Sequence, residues 1–440
     1  MRWSQFVHFF PHTKVLWHAL KFEKHIVCEP ETFSDFLRGG NVRPENLSDT
    51  LLAELLAKGF IIETEGEEAC LRDYSSVMEE RRNIQALYLI LTTRCNLQCA
   101  YCLYSASTSG SLTGIGQHMS ERVACEAVDL FAQETAKNDR DQSGYWEEVT
   151  LYGGEPLLNR TCLEKAVRYI RQLQSEGREW QDIHIVLNTN GVLLDDRFIK
   201  FARNEKVEIQ VSIDGPKNVH DQVRQFRGGK GSFDSVMRGL EAIQSVGLDF
   251  IPLLTITDAN MDSLADCVGW LCEKFSIKQY GLNLLMHTSG DVDPSYGIRA
   301  AKAMQETHLV SESFGAIDKN YGGAFDTFAE KRIASQSCGA GRKLVVFPNA
   351  EIHACQALEA SGITKVGQLP AFTPDDPNRI LWGSRNRFNN SECLNCPAIG
   401  GCGGGCGASG YNAFGDAHGI DPNHCAWMKS VFVQWIKQIQ

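Results

Sequence analysis

Between residues 84 and 310, six short apolar runs alternate with longer amphipathic segments: "ALYLILTT", "EVTLYG", "IHIVLN", "VEIQVSI", "FIPLLTI" and "YGLNLLM". Strands separated by helix-length crossovers pair in parallel, because a tight hairpin cannot join parallel neighbours. The spacing therefore predicts an α/β fold whose centre is a partial (β/α)6 barrel. In such barrels the reactive residues sit on the loops that follow the strands.

The segments on either side read differently. In residues 1–80, "KVLWHAL" and "KHIVCE" are strand-like, and "SDTLLAELLAKGFIIE" is a helix with Leu51, Leu52, Leu55 and Leu56 on one face, stopped by Gly59 before a short strand. That order predicts a small winged-helix-like module. It holds 8 Lys and Arg against 14 Asp and Glu, which favours docking a protein or peptide over DNA. Residues 335–430 lose the strand rhythm and become rich in Gly and Cys. They predict a region organised by ligands rather than by a large apolar core. Residues 431–440 read as the end of a C-terminal helix.

Composition narrows the function classes. The formal net charge of −11 argues against a general nucleic-acid binder, which needs surplus Lys and Arg to displace counterions. No run is apolar for long enough to span a membrane, and the start "MRWSQFVHFFPH" lacks the pattern of a secretory signal, so the expected location is the cytoplasm. Sixteen cysteines is many for a reducing compartment, where clustered thiols bind metal or do redox chemistry. Cys28, Cys70, Cys125, Cys162, Cys267 and Cys272 stand singly and read as small buried hydrophobes.

The other ten form two sets. "RCNLQCAYC" places Cys95, Cys99 and Cys102 at C-x3-C-x2-C directly after the first barrel strand, flanked by Tyr101 and Tyr104. A structural zinc site is closed by a fourth Cys or His, and none is near; the triplet points instead to an iron centre with one free coordination position. The second set is Cys338, Cys355, Cys393, Cys396, Cys402, Cys406 and Cys425, with "CLNCPAIGGCGGGC" at its centre. Zinc ribbons could explain part of it, but seven thiols do not divide into two sites of four.

The triplet resembles the radical S-adenosylmethionine superfamily, whose C-x3-C-x-aromatic-C motif holds a [4Fe–4S] cluster with the cofactor on its fourth iron. The resemblance implies that Cys95, Cys99 and Cys102 are cluster ligands and that Tyr101 lies against the adenine. It also implies that "LYGGEP" (Gly153, Gly154, Glu155) binds the methionine moiety, and that Arg224 of "HDQVR" reaches the cofactor, with His220 and Asp221 as local structural partners. "LNTNG" and "VSIDG" offer Asn188, Ser212 and Asp214 as polar groups at the same rim.

The C-terminal cysteines resemble the SPASM extension of these enzymes, which carries two auxiliary [4Fe–4S] clusters, three clusters in all. Carried over, Cys393, Cys396, Cys402 and Cys425 ligate the second auxiliary cluster, and Cys338, Cys355 and Cys406 the first, which lacks a fourth nearby cysteine. The family glycine five residues before Cys355 is Ala350 here, a departure that a left-handed Asn349 would offset. The expected activity is that of a radical S-adenosylmethionine oxidoreductase modifying a ribosomally made precursor peptide, by a side-chain cross-link in the favoured reading, with C–C, C–O and thioether bonds and epimerisation all left open by the sequence. The leader would be held by residues 1–80, and electrons would come from a donor such as flavodoxin or ferredoxin; neither a nucleic acid nor a membrane is an expected partner. Anaerobic sulfatase maturation, giving formylglycine, is the alternative; its members carry an Asp base where this chain has Gln356. A zinc-stabilised protein-binding scaffold without catalysis is a third reading.

Overall fold

The computed structural model describes residues 2–26, 47–62, 71, 83–102, 116–138, 146–177, 180, 182–286, 293–322, 327–328, 330–331, 333–334 and 338–438. Cys28, Cys70, Tyr104 and the end of the strand expected at "KHIVCE" lie outside them.

At the N-terminus, β1 (Arg2–Trp3) pairs with β5 (Ile61–Ile62), and β2 (Val7–Phe10), β3 (Val15–His18) and β4 (Glu23–Ile26) form an antiparallel meander. Ser48 caps the helix Asp49–Ala57 by accepting from Leu51 N at 3.2 Å, and the chain turns out of it at Gly59. Leu55 is fully buried with Val7, Leu16, Phe60 and Ile61, with Leu51 and Leu52 packed against them, but Leu56 is 38% exposed. The apolar face expected of four leucines thus narrows to three, because the meander is too small to cover the fourth. Its opposite face is covered by the C-terminal helix Pro422–Gln438. The Trp17 ring meets Phe432 and Trp435 at 5.7 and 5.0 Å, and its indole N–H donates to Pro397 O at 2.9 Å. A Cβ at Gly400 would lie 2.2 Å from Ala19 O, so the two surfaces meet backbone to backbone. Removing residues 1–80 would uncover this aromatic seam.

Among the described residues the central sheet has eleven strands. β6 (Ala86–Thr92), β7 (Glu148–Gly153), β8 (His184–Thr189), β9 (Val207–Ser212), β10 (Ile251–Thr255) and β11 (Gln279–Asn283) run parallel in chain order. Helices Glu121–Thr135, Arg160–Ser175, Asp196–Asn204, Phe233–Ser245 and Leu264–Phe275 cross between successive strands, as the alternation predicts. A short strand that the sequence did not signal, β12 (Ile317–Asp318), extends the β11 edge. In β9, Val207, Ile209 and Val211 are buried while Glu208, Gln210 and Ser212 are half-buried; this period of two sends the apolar residues to the helices and the polar ones to the inner face.

The Cys-rich region is not a separate layer. β13 (Lys343–Val346) pairs in parallel with β6, and β14 (Glu351–His353), β15 (Lys365–Gln368) and β16 (Ala371–Phe372) follow antiparallel, so the barrel sheet continues into it. Trp382 and Trp427 are fully buried in the same hydrophobic cluster as the barrel helices. A ligand-organised region without a large core was expected; the apolar residues between the Gly and Cys positions add to the barrel core instead. At the tight turn between β13 and β14, Ala350 itself takes the left-handed conformation, φ 67°, rather than Asn349, whose carboxamide oxygen accepts from Glu351 N. A Cβ there costs about 1 kcal/mol. Ala350→Gly is therefore expected to raise unfolding stability by about 1 kcal/mol in urea titrations.

Candidate functional site

One open cavity of about 1530 Å³ is lined by residues from all six parallel strands or the loops after them. Sheet curvature is what brings such distant positions together. Cys95, Cys99, Cys102, Tyr101, Gly153, Gly154, Asn188, Ser212 and Arg224 all face it. The sequence pointed to each of these.

The cysteine loop is seated by the glycines of "LYGGEP". Gly153 N–Cα is rotated to φ +141°, and a Cβ there would sit 2.4 Å from Thr92 O; one at Gly154 would sit 2.2 Å from Arg94 O. Gly154 N donates to Thr92 O and Glu155 N to Arg94 O, both at 2.8 Å. Close approach is thus needed first for the backbone that carries Cys95, and only then for a ligand. Burial pushes the Cys95 thiol up to about 12, so this thiol stays neutral until a cationic centre holds it as a thiolate.

Two residues expected to touch the cofactor stand behind the wall instead. Asp214 is fully buried; it accepts from Tyr101 O–H at 2.7 Å, from Arg224 Nε and Nη2 at 2.8 and 3.3 Å, and from Thr255 N at 2.9 Å. The Arg224 guanidinium lies over the Tyr101 ring, 5.2 Å from its centroid. Burial works against the Arg224 charge, but Asp214, Tyr101 and Cys99 around it together more than offset this and raise its pKa. Asp214 therefore orients Tyr101 and Arg224 rather than contacting a ligand. His220, buried and held neutral chiefly by desolvation, bonds Ser232 Oγ at 3.0 Å, and Asp221 accepts from Phe233 N at 2.9 Å.

Glu155 is the other. It is fully buried, and its oxygens accept from Thr189 O–H, Asn190 N and Leu157 N at 2.7, 2.8 and 3.1 Å, tying the loop after β7 to the loop after β8. Burial raises its pKa from 4.5 to about 7 despite these donors. The folded state then keeps its proton while the unfolded chain has released it. This contribution to stability is complete below the unfolded value and is lost as pH rises through about 7. Unfolding stability should fall by about 2 kcal/mol between pH 5 and 7 through this group. Denaturation of Glu155→Gln across that range should lack this component.

The same cavity exposes residues that motif reading passed over: Tyr88, Tyr152, Asn190, Gln210, Asn283 and Asn320. For Tyr88, Tyr152, Gln210 and Asn283 the signal was available as polar or aromatic positions in apolar strands; Asn190 and Asn320 lie just beyond strand ends. The Asn188 carboxamide oxygen is buried without a hydrogen-bond partner, a place for a donor group of a ligand. These features fit S-adenosylmethionine: a three-thiol corner, an orphaned acceptor, a buried guanidinium and an aromatic face beside one opening.

The C-terminal thiols lie in two places. Cys393, Cys396, Cys402 and Cys425 line one cavity of about 860 Å³. Cys338, Cys355 and Cys406 act electrostatically on one another, near Lys343, whose ammonium donates to Gln356 Oε1 at 2.8 Å and lies over the Tyr88 ring. Gln356 also lines the barrel cavity, so this second group adjoins it. Among the described residues, no three His, Cys, Asp or Glu side chains converge closely enough for a single metal ion. Of the solitary cysteines, Cys162, Cys267 and Cys272 are buried and Cys125 is half-buried.

Residues 89–271 match the model of the Radical SAM superfamily. The serine-type anaerobic sulfatase-maturating enzyme of Bacteroides thetaiotaomicron is 28% identical over 179 residues, 41% of each chain, so that match spans less than half of the relative. The radical SAM cyclopropyl synthase TigE of Paramaledivibacter caminithermalis is 22% identical over 418 residues, 88% of this chain and 82% of that one. Among solved structures, native anSMEcpe with bound AdoMet and Kp18Cys peptide shares the fold at a TM-score of 0.65 and 18% identity, over 81% of this chain and 98% of that one. Streptococcus suis SuiB bound to precursor peptide SuiA does so at 0.54 and 15%, over 93% and 96%. No helix of the described residues is long and apolar enough to cross a membrane. Family model, relatives and cavity agree: residues 89–271 match the radical SAM superfamily, and the chain resembles the maturases of that superfamily.

Proposed function

We propose that this chain is a radical S-adenosylmethionine maturase, located in the cytoplasm, that oxidatively modifies a ribosomally synthesised precursor peptide through a side-chain cross-link. The observation that carries the reading is the chemistry of the cavity wall. It presents six carboxamides, Asn188, Asn190, Gln210, Asn283, Asn320 and Gln356, and no carboxylate among its described residues. Carboxamides offer both donors and acceptors to a peptide backbone.

Cys95, Cys99 and Cys102 would hold a [4Fe–4S] cluster, which would supply one-electron reductive cleavage of S-adenosylmethionine. The chain's own part is to position and to exclude. Arg224, Tyr101, Ser212 and Asn188 offer polar and aromatic contacts for the cofactor, and the carboxamides hold the peptide segment against it. Cys338, Cys355 and Cys406 would hold one auxiliary [4Fe–4S] cluster and Cys393, Cys396, Cys402 and Cys425 the other, the pair forming a SPASM domain over 335–430. Residues 1–80 would serve as a winged-helix-like module that binds the leader, with β4 at one edge of the meander, a place where a peptide strand would add. A one-electron donor such as flavodoxin or ferredoxin completes the cycle, and neither nucleic acid nor membrane enters it.

Sulfatase maturation is the second reading, supported by the relative of that name and by the shared fold of anSMEcpe. Against it stands Gln356, a neutral amide facing the cavity where the resemblance calls for an Asp base. Co-expression with short open reading frames beside the gene, followed by mass spectrometry, separates the two. A loss of about two mass units per event in such a peptide supports the cross-link. Formylglycine in a co-expressed sulfatase, with every neighbouring peptide unchanged, would establish the second reading.

A further inference from the structure

The cavity that holds Cys393, Cys396, Cys402 and Cys425 is lined by more cationic side chains than carboxylates among its described residues. Arg385, Arg387 and Lys429 line it against one carboxylate, Glu392, among its described residues. Glu392 is exposed. Arg387 is the telling residue. It is only 6% exposed, yet its guanidinium hydrogen-bonds carbonyl oxygens alone, Ile399 O and Ala334 O, each at 2.7 Å, with its face over the Phe388 ring.

A buried cation without an anion is costly, and burial lowers its pKa to about 10. The groups whose charge would act on it are Cys402 and Cys393, once a cluster holds them as thiolates. The contrast with the radical site is direct: there the buried Arg224 is matched by Asp214. Here the chain provides a charge whose partner is a ligand set.

We propose that Arg387 is the charge-compensating residue of the Cys393, Cys396, Cys402 and Cys425 site, and that its guanidinium makes the four-iron cluster held there easier to reduce. This rests on the reading of those cysteines as cluster ligands. A fixed positive charge in a water-poor site stabilises the state that has gained an electron more than the state that has not. The carbonyls of Ile399 and Ala334 fix where that charge lies. Lys429, exposed at the mouth, adds to it more weakly because solvent screens it.

The test is a mediated redox titration, followed by electron paramagnetic resonance, of the full chain reconstituted with iron and sulfide. Cys95, Cys99 and Cys102 are changed to Ala so that only the C-terminal sites contribute signal. Arg387→Gln is expected to disfavour reduction of one of the two signals at least tenfold, a fall of about 59 mV for one electron, leaving the other in place. Arg387→Lys, which keeps the charge, is expected to hold the original midpoint. An unmoved midpoint in Arg387→Gln, or an equal fall in Arg387→Lys, would overturn the proposal. Should Arg387→Gln not load iron, Lys429→Glu carries the test. It is expected to lower the same midpoint at low ionic strength and less so in high salt, and no movement overturns the idea. Iron confined to the other C-terminal site in the parent protein would sink the ligand reading itself, and the inference with it.

Discussion

Replacing Cys95, Cys99 and Cys102 together with Ala is expected to remove four of the iron atoms and all formation of 5′-deoxyadenosine, while the C-terminal sites still load. The reason is positional. Among the cysteine groups, only this one shares its cavity with Arg224, Ser212, Asn188 and the loop at Gly153 and Gly154. The other two are built from a different part of the chain, around β13 and β14 and the segment 393–425, so their folding does not depend on these thiols. Chromatography of the nucleoside product and iron analysis check both halves. A triple variant that still cleaved the cofactor reductively would move the radical site elsewhere.

Asp214→Ala is expected to cost about 3–5 kcal/mol of stability, because it leaves Arg224 as an uncompensated buried charge. Asp214 is the meeting point of four donors: Tyr101 O–H, both nitrogens of the Arg224 fork and Thr255 N. Its loss would release the side chains that shape one wall of the cavity. Asp214→Asn keeps the volume but loses the charge and must turn an N–H₂ toward donors; an intermediate loss is expected. Calorimetric or denaturant unfolding measures both. Cofactor affinity should fall with stability, since the residues that move line the cavity. Near-native stability in Asp214→Ala would mean that Arg224 finds another anion, against the geometry of the pair.

The alternation of apolar strand and amphipathic helix carried the barrel, because backbone pairing and burial repeat with periods that a sequence displays. Cys95, Cys99 and Cys102 were legible for the same reason: their spacing is local. What was not legible is long-range. Nothing in "KLVV" announces that β13 will pair with β6, more than 250 positions earlier, and so join the Cys-rich region to the barrel sheet. The short β12 gives no periodic signal at two residues. Glu155 and Asp214 show the limit at the site itself. Their motifs place them at the rim, but only the packing of neighbouring loops decides that they are fully buried behind it. Arg387 looks like any surface arginine in "SRNRFNN", and its burial follows from the fold of residues 385–425 around a cavity.

The iron and acid-labile sulfide content of the anaerobically purified full chain is the measurement closest to the central claim. Three four-iron clusters at Cys95/Cys99/Cys102, Cys338/Cys355/Cys406 and Cys393/Cys396/Cys402/Cys425 predict about twelve irons and as many sulfides per chain. Zinc bound without sulfide would contradict the account.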